Sequence, residues 1–394
     1  MVDSAQNPVE NVAQAPVSQQ APNPEPVLPS EPPTVSLKKS QKPLFIVIGV
    51  VLLVLAVFGA FYYYINGNVS QKTKEKMASP SNVIHIGLSL DTLQEARWIK
   101  DRDLMTQKAQ SLGASVVTLV ANSDDNTQIA QIQNLISQKV NVIIIVAHNS
   151  KALSGVIAQA HKAGIKVIAY DRLILNSDLD LYISFDSVKV GQYSAEYVMA
   201  AVSKTVAVPN VVFIGGSSTD NNAILVRNGA MGVLDPMIKE GRAKLVFDKF
   251  TPDWSPEIAY KNLKAYLDAG GKVDAVVASN DGTAGGAILA LKEHNLSGKV
   301  PVSGQDAELA AVKRLTEGTQ TITLYKPITL LANKAIESAI NMANGKTPET
   351  NSVMNNNKLD VPSFLINPIP VTKATIKDTL VKDGFYSTKD IYGF

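Results

Sequence analysis

The chain has 394 residues, 45% of them hydrophobic, which is enough for about two to three domains with a sizeable buried core. Lys and Arg total 37 and Asp and Glu total 35, and this near balance argues against a nucleic-acid partner, which would favour a basic surface. Since the sequence has no cysteine, disulfides, thiolate metal sites, a cysteine nucleophile and a lipid-anchored cysteine are excluded.

The first segment, residues 1–42, is rich in Pro, Gln, Ala and Val and has no periodic pattern. We predict that it is disordered, because burial of its small apolar surface would not offset the conformational entropy lost on ordering. The next stretch, Leu44–Ile65, is apolar and without charge. As a helix rising about 1.5 Å per residue it would be long enough to cross a bilayer.

We therefore predict a transmembrane helix over residues 43–65, followed by a polar linker over residues 66–81. The alternative is the apolar core of a cleaved signal peptide, but such cores have about 7–15 residues and lie near the start of a chain. The predicted localisation is the cell membrane, with a single retained span and the binding domain on the extracytoplasmic side.

From residue 82 onwards, short apolar runs alternate with helical stretches. The first strands are predicted at Val83–Leu90, Ser115–Ala121, Val142–Val146 and Lys166–Tyr170, with helices at Glu95–Ser111, Thr127–Lys139 and Lys151–Ala163 between them. Apolar strands separated by helices are typical of a parallel sheet covered on both faces. The pattern restarts at Asn210–Gly215 and continues through Lys244–Asp248, Ala275–Ser279, Pro301–Ser303 and Thr321–Leu324. The chain is therefore predicted to form two α/β lobes.

Polar side chains follow these strands, at the sheet edge where ligands of open α/β sheets bind. In chain order they are Arg97, Asp171, Arg172, Asp220, Asn222, Asn280, Asp306 and Lys326. Such groups suit an uncharged, polyhydroxylated ligand, because each sugar hydroxyl both donates and accepts a hydrogen bond. The two tryptophans, Trp98 and Trp254, offer aromatic rings on which the C–H faces of a pyranose can pack.

Each of these residues also has a structural interpretation. Asp220 is typical of a helix N-cap, Asp171 and Arg172 could form an ion pair, and either tryptophan could belong to the core. Their position in one predicted crevice favours the binding interpretation.

Other classes of site find little support. The four histidines are scattered without metal-binding spacing, and no phosphate-binding loop or G-x-G-x-x-G motif occurs, so we predict no metal and no cofactor. An enzyme acting on a sugar is disfavoured, because the predicted site mixes Arg and Lys with carboxylates expected to stay ionised, leaving no carboxyl with a raised pKa. A transcription factor would need a helix-turn-helix, which residues 1–81 do not offer.

Six stretches together resemble the D-xylose-binding components of bacterial ABC importers, in the type I periplasmic-binding protein family. They are E-A-R-W-I-K-D-R-D (95–103), I-A-Y-D-R (168–172), D-N-N-A (220–223), V-V-A-S-N-D-G-T-A-G-G-A (276–287), S-G-Q-D-A-E-L-A (303–310) and L-Y-K-P-I-T-L-L-A-N (324–333). The resemblance covers about four-fifths of the chain, from residue 82 to its end.

The resemblance implies two Rossmann-like lobes, joined by a three-strand hinge, that bury one sugar between them. The first lobe would comprise residues of about 82–187 and 326–365, and the second about 188–325 and 366–394. The implied sugar contacts are Arg97, Trp98, Asp171, Arg172, Asp220, Asn222, Trp254, Asn280, Asp306 and Lys326, with the tryptophans as a stacking pair. We expect a non-enzymatic protein that delivers D-xylose to an ABC importer permease; the alternative is a sugar sensor that signals to a histidine kinase or chemoreceptor.

Overall fold

The structure, a computed structural model, describes residues 83–394 except 203 and 205, together with positions 56, 57, 59, 60 and 62. The chain divides into two units after Pro80, and the strands of the described residues all lie in the unit Ser81–Phe394. The predictions for residues 1–42, 43–65 and 66–81 fall outside, or almost wholly outside, the described residues. Within the described part, no helix is both long enough and apolar enough to cross a membrane.

Strands and helices alternate along the described residues, as the apolar periodicity predicts. The strands are β1 (His85–Leu90), β2 (Ser115–Val120), β3 (Val142–Ile145), β4 (Lys166–Tyr170), β5 (Leu181–Phe185), β6 (Asn210–Ile214), β7 (Lys244–Lys249), β8 (Ala275–Ala278), β9 (Thr323–Tyr325), β10 (Ser352–Asn355), β11 (Asp360–Ile366) and β12 (Ile369–Val371). The α-helices are α1 (Ala96–Ser111), α2 (Asp125–Ser137), α3 (Ser154–Lys162), α4 (Ser187–Ala201), α5 (Asn221–Lys239), α6 (Pro256–Asp268), α7 (Asp281–Glu293), α8 (Leu309–Glu317), α9 (Ile328–Ala343) and α10 (Thr388–Tyr392). One turn of 3-10 helix covers Pro252–Trp254.

A seven-stranded sheet has the order β10-β11-β5-β4-β3-β1-β2. Its strands pair in parallel, except that β10 runs antiparallel to β11 at one edge. The inner strands β3 and β5 are buried along their whole length, because apolar helices cover both faces of the sheet. Helices α1 and α9 pack on one face, and α2 and α3 on the other. We call this sheet with its helices the first lobe.

A second sheet consists of three parallel strands in the order β7-β6-β8. Helices α4 and α5 cover one face and α6 and α7 the other. The antiparallel pair β12-β9 adjoins it, and the predicted strand Pro301–Ser303 is reduced to a single bridge between Val302 and Val276. We call this three-stranded sheet, with its helices and the β12-β9 pair, the second lobe.

The chain passes between the lobes three times. The crossings lie between β5 and α4, between β9 and α9, and between β11 and β12. Lys326 lies at the second crossing, directly after β9. The residue limits of the lobes given by the sequence stay a prediction.

Candidate functional site

One cavity between the lobes is lined by all ten predicted site residues, together with Glu95 and Gln305. The structure therefore brings the predicted residues together around one cavity.

Arg97, near the start of α1, extends towards both lobes. It donates to Asp101 Oδ2 at 3.2 Å and Asp171 Oδ2 at 2.8 Å in the first lobe, and to Asp306 Oδ1 at 3.4 Å in the second. Its side chain is only 7% exposed. Burial by itself would lower the pKa of Arg97, but Asp171, Asp101 and Asp306 outweigh it and raise the pKa well above its ordinary value. Arg97 is therefore a permanent charge that links the lobes.

Arg172 forms a second link between the lobes. Its Nη1 donates to Asp91 Oδ2 at 2.6 Å, and its Nε lies 2.8 Å from Asp220 Oδ2. Asp91 is also held by His148, whose Nδ1 is 2.9 Å from Oδ1. Burial would raise the pKa of Asp91, but the nearby His148 and the charge of Arg172 lower it. The proposed ion pair between the neighbours Asp171 and Arg172 is thus replaced by separate pairs with other partners.

Asp171 is held in a strained backbone conformation, with φ of +61°. Asn222 Nδ2, from the second lobe, donates to its carbonyl oxygen at 2.9 Å and to Oδ1 at 3.1 Å. Burial would raise the pKa of the Asp171 carboxyl, but Arg97, Lys326 and Arg172 together hold it below the usual range. Asp171 is therefore an ionised acceptor directed at the cavity.

Asp306 and Lys326 form the third charged pair. The Lys326 Nζ lies 2.7 Å from Asp306 Oδ1, the same oxygen that Arg97 approaches. Asp306 has φ of +93° and the following Ala307 has φ of +51°. Both values lie in the region that side chains other than glycine rarely adopt, and such strain concentrates at functional sites. This unusual turn orients the carboxylate of Asp306 towards both cations.

The second lobe presents two of its polar residues at helix N-termini. Asp220 caps α5 by accepting from Asn222 N at 2.8 Å, and Asn280 caps α7 by accepting from Thr283 N at 2.8 Å. The structural interpretation of Asp220 is therefore confirmed. The cap uses only Oδ1 of Asp220, while Oδ2 lies 2.8 Å from Arg172 Nε and accepts from Trp254 Nε1 at 3.2 Å. A cap can thus also face the cavity.

The two tryptophans differ in their surroundings. Trp98 is 2% exposed and belongs to the core of the first lobe, and its Nε1 donates to Glu95 Oε2 at 3.0 Å. The guanidinium carbons of Arg97 and Arg172 lie 4.2 and 5.3 Å from the centre of its ring. Trp254 is 7% exposed and lies on the 3-10 turn after β7, with φ of +55°. The core interpretation of Trp98 is therefore correct, although its ring also lines the cavity.

Glu95 and Gln305 line the cavity but were not among the predicted contacts. Their sequence signals are weak: Glu95 comes just before a helix start, and Gln305 follows a strand too short to form. Burial raises the pKa of Glu95 to about 7, with Arg172 opposing the shift and Asp306 adding to it. Burial likewise raises the pKa of Asp220, against the opposing charge of Arg172. The expectation that the site contains no carboxyl with a raised pKa is therefore wrong.

In the part of the chain that the structure describes, no three His, Asp or Glu side chains are grouped as metal ligands would be. The absence of a metal or cofactor stays a prediction. The donors and acceptors around the cavity are suited to hydrogen bonding with a neutral polar molecule.

The fold consists of two α/β lobes joined by three crossings, and both lobes direct planar hydrogen-bonding groups at one small cavity. This arrangement defines the class of two-lobed solute-binding proteins. A family model described as a periplasmic binding protein domain matches residues 86–347. The chain therefore belongs to the periplasmic binding protein family, and the predicted type I fold is confirmed.

Three proteins illustrate the similarity. The chain is 49% identical over 313 residues to the D-xylose-binding periplasmic protein of Haemophilus influenzae, covering 79% of this chain and 93% of that protein. It is 48% identical over 316 residues to the protein of the same name from Escherichia coli, covering 80% and 94%. A solved structure of an ABC transporter solute binding protein from Clostridium phytofermentans, with bound β-D-glucose, has a TM-score of 0.72 and 31% identity, covering 78% of this chain and 99% of that one.

These relatives correct the predicted localisation. The Haemophilus and Escherichia proteins are named as periplasmic, which contradicts a single-pass membrane protein. The prediction depended on the length and hydropathy of Leu44–Ile65. Hydropathy alone does not distinguish a membrane anchor that stays in the protein from a signal peptide that is removed.

Proposed function

We propose that this protein captures D-xylose, or a closely related monosaccharide, between its lobes and delivers it to an ABC importer. The observation that carries the proposal is the meeting of charged, amide and indole groups from both lobes around one small cavity. The near-half identity to two proteins named for D-xylose binding supports this sugar. The more distant structure with bound β-D-glucose supports the monosaccharide class.

The chemistry of the cavity suits a sugar in which every hydroxyl needs a donor and an acceptor. Asp171 and Asp306 supply ionised or charge-paired oxygens that accept from hydroxyl protons. Arg97, Arg172 and Lys326 supply N–H groups that donate to hydroxyl oxygens. Their mutual ion pairs hold these groups in fixed directions before the sugar arrives, which reduces the entropy lost on binding.

Selection of a pentose over a hexose would follow from the size of the cavity. A hexose carries an additional CH₂OH group, which a site fitted to xylose must exclude or leave without a hydrogen-bonding partner. A polar group buried without a partner is unfavourable by about 1–3 kcal/mol. The faces of the pyranose would pack on Trp98 and Trp254, whose rings both line the cavity.

Binding would be coupled to closure of the lobes, with the three crossings as the hinge. Arg97, Arg172 and Asn222 each make contacts across the cleft, so a sugar that touches both lobes adds to interactions that favour the closed state. We expect the radius of gyration in solution to decrease when xylose is added. Scattering that does not change at saturating xylose would contradict closure.

Calorimetric titration of the purified protein with xylose, ribose, arabinose and glucose tests the ligand. We expect xylose to bind with a Kd below about 10 µM, which corresponds to about −7 kcal/mol, and the other sugars to bind more weakly. Tighter binding of another sugar would show that the ligand assignment is wrong, and no binding of any monosaccharide would refute the function.

Uptake of labelled xylose tests the role in import. Deleting the gene should abolish uptake at low xylose concentration, and the wild-type gene should restore it. A binding-deficient variant should not restore uptake. Normal uptake in the deletion strain, with loss only of a transcriptional or chemotactic response to xylose, would instead favour the sensor.

A further inference from the structure

Gly216 lies two residues after the end of β6, in contact with the indole of Trp254. A Cβ added at Gly216 would lie 2.3 Å from each of Cζ2, Cη2 and Cζ3 of Trp254. A point equidistant from three atoms of a regular ring lies on the axis through the centre of that ring. Gly216 therefore contacts the flat face of the six-membered ring rather than its edge.

The backbone at Gly216 does not itself require glycine. Gly216 is not among the described residues with positive φ, so alanine would meet no conformational penalty there. Its main chain is also fixed, because its carbonyl accepts from Thr251 N at 2.9 Å and thereby ties the end of β6 to the turn that carries Trp254. The requirement for glycine comes from the space that the indole occupies.

The indole of Trp254 is held from two sides. Its Nε1 donates to Asp220 Oδ2 at 3.2 Å, and one face of its ring lies on Gly216. Since Trp254 also lines the cavity, the face turned away from Gly216 is the one available to a ligand. We propose that Gly216 is a positioning residue that sets how far the indole of Trp254 projects into the cavity, and thereby its depth for the sugar.

This inference rests on the proposed sugar-binding function and extends it to a residue that contacts Trp254 rather than the ligand. Ordinary van der Waals contact begins near 3.4 Å, so a methyl group at position 216 forces the ring to move by about 1 Å or more. A binding site needs its groups within about 0.5 Å of the productive position. A shift of the indole into the cavity would therefore weaken binding and disturb the bond to Asp220.

The test compares Gly216→Ala with Gly232→Ala, a glycine of α5 at which an added Cβ meets nothing within 4 Å. We expect Gly216→Ala to weaken xylose binding at least tenfold with little change in melting temperature, and Gly232→Ala to change the Kd less than twofold. Tryptophan emission supplies a second readout, because the only two tryptophans of the chain both line the cavity. Gly216→Ala should change the emission spectrum, whereas Gly232→Ala should not.

A double variant separates positioning from a general effect on folding. In Trp254→Phe the shorter side chain no longer covers Gly216, so adding Gly216→Ala should change the Kd of Trp254→Phe less than twofold. This comparison remains decisive if the single variant Gly216→Ala does not fold.

Three results would overturn the inference: wild-type affinity in folded Gly216→Ala, unchanged emission in that variant, or a further tenfold loss in the double variant relative to Trp254→Phe. If the wild-type protein binds no monosaccharide, the proposed function fails, while the emission spectra still test the contact between Gly216 and Trp254.

Discussion

The two lobes position their site residues by different means. In the first lobe, Arg97 and Arg172 are held by buried ion pairs with Asp101, Asp171 and Asp91. In the second lobe Asp220 and Asp306 are also ion-paired, with Arg172 and Lys326, but the backbone adds a further constraint. Helix caps hold Asp220 and Asn280, and left-handed turns hold Trp254 and Asp306.

The difference predicts how each side responds to substitution. Removing one member of a buried ion pair leaves its partner charged and without compensation, so changes in the first lobe should affect both folding and binding. Trp254 and Asn280 of the second lobe carry no charge, so either can lose its side chain without leaving a buried charge behind. Changes at these two residues should therefore affect binding more than folding.

The largest effect is expected for Arg172→Ala. This change leaves the buried carboxylates of Asp91 and Asp220 without their shared cation. We expect a loss of about 3–5 kcal/mol in the free energy of unfolding, and xylose binding weaker by about 2–5 kcal/mol. Denaturant unfolding and calorimetry measure the two quantities.

The matched control is Arg242→Ala, which removes an exposed arginine paired with Glu240. It should change the free energy of unfolding by less than about 0.5 kcal/mol. Equal stability of the Arg172 and Arg242 variants would contradict the interpretation of the first lobe as a network of interdependent charges.

Replacing each tryptophan by alanine sharpens the comparison. Trp98→Ala should lower the free energy of unfolding by about 3–5 kcal/mol, because Trp98 belongs to the core of the first lobe. Trp254→Ala should weaken xylose binding by about 1–3 kcal/mol through lost stacking area, with a smaller effect on folding. A larger loss of stability in Trp254→Ala than in Trp98→Ala would reverse the assignment.

The smallest effect concerns pH. The pKa of Glu95 is about 7 in the closed cleft, above its ordinary value of 4.5. A raised pKa means that the closed form favours the protonated carboxyl, so closure takes up a proton between these two values. Xylose affinity should therefore be greatest at low pH, fall as the pH rises towards about 7, and level off above it.

The pH profile needs a second variant, because Glu308 of the second lobe also has its pKa raised to about 7, by burial and by Asp306. Glu95→Gln should flatten most of the profile, since Glu95 lines the sugar cavity itself. Glu308→Gln serves as the comparison. A profile unchanged by Glu95→Gln, measured by titrations from pH 5 to 8, would show that closure does not protonate this carboxyl.

The sequence was informative where a pattern follows directly from sheet geometry. Strand β4 was predicted with its observed limits, and the residues after it face the cavity because parallel strands end at one edge. The C-terminal strands β10, β11 and β12 were not predicted. Strands β10 and β12 have only four and three residues, and β11 contains Pro362, which is unfavourable in a strand.

Other features depend on contacts between distant segments. Arg172 pairs with Asp91 and Asp220 because the fold brings three distant loops together. The sequence alone suggests its neighbour Asp171 as the partner instead. The left-handed conformation of Asp306 has no local signal, because aspartate is not the residue that such a turn usually selects. Glu95 lies in the stretch 95–103 that carries the resemblance, but it was overlooked because its raised pKa comes from burial, which the sequence does not show.

The helix cap at Asn280 has a consequence for the divergence of ligand preference. Asn, Asp, Ser and Thr all cap a helix with similar effect, so position 280 can exchange these residues while α7 stays intact. Each exchange changes the donors and acceptors offered to the ligand. New sugar preferences should therefore arise by single substitutions at position 280, whereas ion-paired residues such as Arg172 and Asp220 must change together.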